Sequence, residues 1–228
     1  MPGYTTRQQR LRLGGYDYRI RSLSDLQQFA DPDHHAERVG ISSAQWSLFG
    51  QIWPSGRLLA ETMSSHDVTG KRILELGCGL GLASLVLQRR HADIVASDHH
   101  PLAASFLAYN SALNGLPSVV YRELRWDVPH TTLGKFDLII GSDVLYERGH
   151  SEQLAALLER HTHGDSEVLI TDPGRGNSAA FTRAMAATGY DAVAQRGRMD
   201  EADLPPFRGR LLSYRRNPPT VSASGTLQ

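Results

Sequence analysis

The order of apolar and polar residues along the chain moves repeatedly between the period of a strand and that of a helix. Ile73 to Leu76 is a short run, apolar except for Glu75; a turn carrying Gly77, Gly79 and Gly81 follows, and then Leu82, Leu85 and Val86 share one helical face. This reads as strand, turn and helix. Ile94 to Asp98, Ser118 to Leu124, Phe136 to Ile140 and Glu167 to Thr171 read as further strands. Phe136 to Ile140 is almost wholly apolar, as expected of a central strand covered on both faces. A helix begun by Pro54 precedes the first strand, with Leu58, Leu59 and Met63 as its buried stripe. Others are expected over Pro101 to Asn114, Ser151 to Arg160 and Phe181 to Ala187. Such alternation implies a mostly parallel sheet with helices on both faces. Asp191 to Ala194 and Arg210 to Tyr214 are expected to close it as an antiparallel hairpin with a long connection.

The two ends depart from this rhythm. Tyr16, Tyr18 and Ile20 alternate as in a strand that covers a sheet edge or packs on the sheet, and Ser24 is placed to cap a short helix through Phe29. The tail from Asn217 is rich in Pro, Ser, Thr and Gly and is expected to be disordered. The chain therefore divides into an N-terminal extension, 1–50, a main domain, 51–216, and a tail, 217–228.

Candidate chemistry collects at the C-terminal ends of the strands, where open α/β sheets bind ligands. Asp98 ends the second apolar run about 20 residues after the glycine turn, where a carboxylate accepts both hydroxyls of a ribose. The turn itself is acidic, because Glu75 lies two residues before Gly77. A carboxylate there opposes a pyrophosphate and suits a cationic ligand with an amino acid end, such as the sulfonium S-adenosylmethionine. Leu82 stands where a dinucleotide fingerprint has its third glycine, which counts against a nicotinamide oxidoreductase. Trp126 and Asp127 follow the third strand and are placed to stack on a base and accept from its exocyclic amine. Trp53, just before the first helix, can wall the same pocket, and His99 and His100 adjoin it. Past the central strand, Gly141-Ser142 allows close backbone approach, and Asp143 and Tyr146 then converge where chemistry is expected. Cys78 reads as a small side chain packed in the turn, with no histidine base assignable to it.

Composition narrows the partners. Of 228 residues, 24 are basic and 24 acidic, so the formal net charge is zero and no overall basic field favours nucleic acid. One cysteine permits no intrachain disulfide and implies a reducing setting. No apolar run approaches a membrane span or the core of a signal peptide, and a cytoplasmic location is expected. Ten histidines include no helical pair at ligand spacing, and no metal site is expected.

Together these residues resemble the class I S-adenosylmethionine-dependent methyltransferases over about Trp53 to Gly176. Trp53-Pro54, Trp126-Asp127 and Asp143-Val-Leu-Tyr146 are similar to a narrower group, the seven-strand protein methyltransferases that mostly modify lysine. Asp172-Pro-Gly-Arg175 resembles the loop of its electron-transfer flavoprotein β-subunit branch. The resemblance implies a Rossmann-like, doubly wound sheet of seven strands with S-adenosylmethionine as cofactor and a protein substrate. Trp53, Glu75, Gly77, Cys78, Gly79, Asp98, Trp126, Asp127 and Ser142 would then contact the cofactor, and Asp143 and Tyr146 would serve the acceptor. Substrate choice is expected to lie partly in the first 50 residues. A small-molecule or RNA methyltransferase and a non-catalytic binding module remain the alternatives.

Overall fold

A computed structural model describes residues 4–25, 38, 48–129, 132–147, 149–196, 199–201, 204–207 and 209–216. In chain order these residues form β1 (Thr6–Leu13), β2 (Tyr16–Leu23), α1 (Pro54–Ser65), β3 (Arg72–Leu76), α2 (Leu82–Arg89) and β4 (Asp93–Asp98). Next come α3 (Ala103–Leu113), β5 (Val120–Glu123), β6 (Phe136–Ser142), α4 (His150–His161) and β7 (Thr162–Asp172). The chain continues through α5 (Ser178–Ala187), β8 (Tyr190–Arg196), β9 (Met199–Glu201), β10 (Leu204–Phe207) and β11 (Arg210–Arg216).

Seven strands form one sheet in the order β5-β4-β3-β6-β7-β11-β8. The pairs from β5 to β7 are parallel, and β11 runs antiparallel to both β7 and β8. The expected sheet and its closing hairpin are thus present, and the hairpin's long connection carries the small β9–β10 pair. Strand order reverses between β3 and β6, so the crevice above their carboxyl ends is the switch point where α/β sheets hold ligands.

Alternate residues of the strands feed two separate cores. Ile73, Ile94, Leu138 and Leu169 face α1, α2 and α3, whereas Leu74, Val95, Ile139 and Val168 face α4 and α5. Burial on both faces explains why the centre of β6, Leu138 to Ile140, is wholly apolar.

The N-terminal hairpin is arranged differently from expectation. The alternation in β2 is a strand, but among the described residues the strand pairs only with β1, and it lies over the helices rather than at a sheet edge. Leu11, Leu13, Tyr18 and Ile20 are buried in the core of α1, α2 and α3. The outer backbone of β2 is met by asparagine side chains of α3 and its end: the Arg21 N–H donates to Asn110 Oδ1 and the Arg19 N–H to Asn114 Oδ1, each at 2.8 Å. An edge strand's free groups are satisfied in this way without a further strand.

The helix expected through Phe29 falls outside the described residues beyond Asp25, as does the tail from Asn217. Among the described residues, no helix is long and apolar enough to cross a membrane.

Candidate active site

The turn after β3 is built by glycine. Gly77, Gly79 and Gly81 have φ of 60°, 53° and 80°. At Gly81 an added Cβ would come within 2.3 Å of Leu107 Cδ1, so the turn is pressed against α3. Two carboxylates fix the turn from below. Glu75 is buried, and its Oε2 accepts from both the backbone N–H and the hydroxyl of Ser84 at the start of α2. Asp98, at the tip of β4, accepts from the Gly79 N–H at 2.8 Å on Oδ2 and from the His100 N–H at 2.9 Å on Oδ1. Its remaining lone pairs stay available to ligand hydroxyls.

Above this turn opens a cavity. Trp53, Glu75, Gly77, Cys78, Gly79, Asp98, Trp126, Ser142, Asp143 and Tyr146 all line it. The one candidate not brought in is Asp127. Its carboxylate turns to the Arg125 guanidinium, with bonds of 2.7 and 3.1 Å, and is 43% exposed. The two side chains are close enough in sequence for the charged fork to draw the carboxylate outward. Trp53 precedes α1 and is fixed by its indole N–H, which donates to the Leu48 carbonyl at 2.8 Å.

At the acceptor end, Asp143 follows β6 with φ of 54°, a left-handed conformation unusual for a residue with a Cβ. Its N–H donates to the Thr171 carbonyl at 2.8 Å. Tyr146 stands edge-on to His150 at 4.7 Å, and His150 in turn meets the edge of Trp126 at 5.0 Å.

Residues 40–186 match the family described as lysine methyltransferase. The chain belongs to this family. It is 34% identical over 139 residues to the electron transfer flavoprotein beta subunit lysine methyltransferase of Mus musculus, covering 59% of this chain and 52% of that protein. It is also 31% identical over 172 residues to the calmodulin-lysine N-methyltransferase of Arabidopsis thaliana, covering 70% and 54%. The chain thus spans about half the length of these curated relatives. Among solved structures, the T. thermophilus 16S rRNA N2 G1207 methyltransferase, in complex with AdoMet and guanosine, superposes with a TM-score of 0.61. At 17% identity over 93% of this chain and 51% of that one, this likeness concerns the fold alone.

Within this lysine methyltransferase family member, burial sets the state of the site's titratable groups. Desolvation raises the Glu75 carboxyl to about 7, against the lowering effect of the Ser84 bonds. Burial likewise raises the Tyr146 phenol, so it stays neutral, and lowers the His150 imidazole. An acidic floor, aromatic walls and open space beside Gly79, where a Cβ would meet nothing within 4 Å, fit a cationic adenosyl ligand. Glu75 and Asp98 would receive its charged and hydroxylated ends, and the aromatic walls its base.

Two contributors escaped the sequence reading. Phe49 lines the cavity and stacks on His100 at 3.9 Å and 3°; its signal lay in the aromatic stretch around Trp53. Arg175 donates from Nε and Nη2 to Oδ1 and Oδ2 of Asp143, both at 2.6 Å. Its place between two glycines of the Asp172-Pro-Gly-Arg-Gly loop was visible, but its partner was not.

Proposed function

We propose that the protein transfers a methyl group from S-adenosylmethionine to the side-chain amine of a lysine in another protein. What carries this reading is one cavity with an acidic, glycine-built floor at one end and Asp143 with Tyr146 at the other. The bound sulfonium supplies an electrophilic methyl: the amine lone pair forms the N–C bond, the C–S pair returns to sulfur as a thioether, and the product ammonium gives a proton to solvent. Asp98 holds the ribose hydroxyls, and Trp126 and Trp53 wall the base and exclude water. Asp143 accepts an amine N–H and aims the lone pair, so the chain contributes orientation and desolvation rather than covalent chemistry. Tyr146, neutral and buried, closes the channel with a ring face that tolerates developing positive charge.

The same kind of chemistry is named for the relatives that act on an electron transfer flavoprotein subunit and on calmodulin. Acceptor choice is assigned in part to the residues before α1, because Leu48 and Phe49 reach the cavity. A single buried Cys78 accords with a reducing, cytoplasmic setting. Calorimetry with S-adenosylmethionine tests the cofactor half. Asp98→Ala is expected to weaken binding by about tenfold or more, and an affinity within about threefold of wild type would refute the ribose assignment.

A further inference from the structure

Asp143 is the carboxylate to which the acceptor amine is assigned, yet both of its oxygens are already engaged. Arg175 binds them side-on, through Nε and Nη2 at 2.6 Å each. The carboxylate is 14% exposed and the guanidinium 38%, so the cation is the outer partner. Arg175 is carried by the loop between β7 and α5, between Gly174 and Gly176, both at φ of 93°. Asp172 at the base of that loop is buried, with no hydrogen-bond partner for Oδ2 among the described residues. Tyr146 adds no charge at neutral pH; Glu147, 3.4 Å from a His150 that burial pushes toward its neutral form, and Asp172, whose charge also acts on Arg175, are further acids near the channel. At the Asp143 oxygens themselves, the charged group nearest an entering amine is the Arg175 guanidinium that holds them both.

We propose that Arg175 is a charge filter for the acceptor channel: by holding both oxygens of Asp143 it denies that carboxylate to a protonated amine and admits the neutral free base. A carboxylate offers about four lone-pair positions, and a side-on arginine uses two. A neutral amine can donate an N–H to one that remains, whereas an ammonium is repelled by the adjacent guanidinium. Only the neutral amine carries the lone pair that attacks, so the filter removes the unreactive protonation state before it occupies the site. Arg175 is thus a positioning and selectivity residue that acts through Asp143.

This inference rests on the proposed function, and a pair of ligands separates the two. Sinefungin carries a primary amine, protonated near neutral pH, in place of the transferred methyl, while S-adenosylhomocysteine carries nothing there. Calorimetry at pH 7.5 gives the ratio of their affinities for wild type, Arg175→Met and Arg175→Lys. Arg175→Met, which leaves Asp143 unpaired, should shift the ratio toward sinefungin by about fivefold or more, and Arg175→Lys should stay within about twofold of wild type. Asp143→Asn tests the pair from its other side: the uncompensated guanidinium should shift the ratio about fivefold against sinefungin. S-adenosylhomocysteine affinity, unchanged throughout, reports an intact fold. A ratio that stays within about twofold in Arg175→Met and Asp143→Asn would overturn the filter alone. Wild-type protein that binds neither ligand would overturn the proposed function and the filter with it.

Discussion

Glu75 shows how much one residue's surroundings change its meaning. In the sequence it is an acid beside a glycine turn; in the fold it is buried, fed by two Ser84 donors, and raised to about 7 from an ordinary 4.5. The protonated form is therefore the one that folding favours. Its stabilising contribution is complete below about pH 4.5 and disappears as pH rises through about 7. The ligand-free Glu75→Gln variant, which still accepts from Ser84, should unfold at a higher temperature than wild type at pH 8. A gain of up to about 3 kcal/mol is expected, shrinking to nothing below pH 4.5; a gain that persisted at pH 4 would contradict the burial argument. The same variant should bind S-adenosylmethionine more weakly, since the cationic end loses its counter-charge. Asp127 marks the limit of such reading from sequence. Its position after β5 was legible, but which way its carboxylate turned depended on Arg125 two residues away. Asp143 was legible as a strand-end acid, whereas its left-handed backbone and its hold by Arg175 are products of tertiary structure.

Elements were legible in proportion to the regularity of their burial. β3 and β6, covered on both faces, announced themselves as mostly apolar runs. β7 was expected from Glu167 and begins at Thr162, because Thr162 pairs with Phe136 ahead of a register shift and no apolar pattern marks that start. Glu167 is a buried carboxylate at the start of that strand's apolar run. It accepts from His66 at 3.1 Å and lies 3.5 Å from Lys71 and 3.2 Å from Arg215, tying β7 to β11 and to the segment between α1 and β3. The His66 bond is the main cause that lowers this carboxyl to about 2. Its contribution is present above about pH 4.5 and lost as pH falls through 2. Glu167→Gln should cost about 2 kcal/mol at pH 7, near 5 °C in the unfolding midpoint, with the gap closing in acid. An equal deficit at pH 7 and pH 2 would contradict the charge argument. β2 was legible as a strand pattern, whereas its partner β1 and the place of the hairpin over the helices were not, since alternation reveals a buried face and not its neighbour. Ile20, fully buried under that cover, is expected to cost about 2–4 kcal/mol when changed to Ala. An unfolding midpoint within about 1 °C of wild type would detach the hairpin from the core.

At the scale of the whole molecule, two cores lie on either side of one sheet, and a crevice opens at the carboxyl ends of β3 and β6. The cofactor half of that crevice follows from local sequence, because a turn, an acid and a neighbouring strand tip are enough to specify it. The acceptor half does not, because it is assembled from the ends of β6 and β7 and the segment before α1, which meet only in the fold. On the proposed function, this assembly methylates lysine. The most direct measurement supplies tritiated S-adenosylmethionine to the purified protein with lysate as acceptor, then hydrolyses the labelled material to amino acids. Label should be removed by protease and not by nuclease and should co-migrate with methylated lysine. Asp143→Ala should lower incorporation by about a hundredfold while still binding the cofactor. Label that resists protease, elutes as another methylated product or persists at full level in Asp143→Ala would contradict the account.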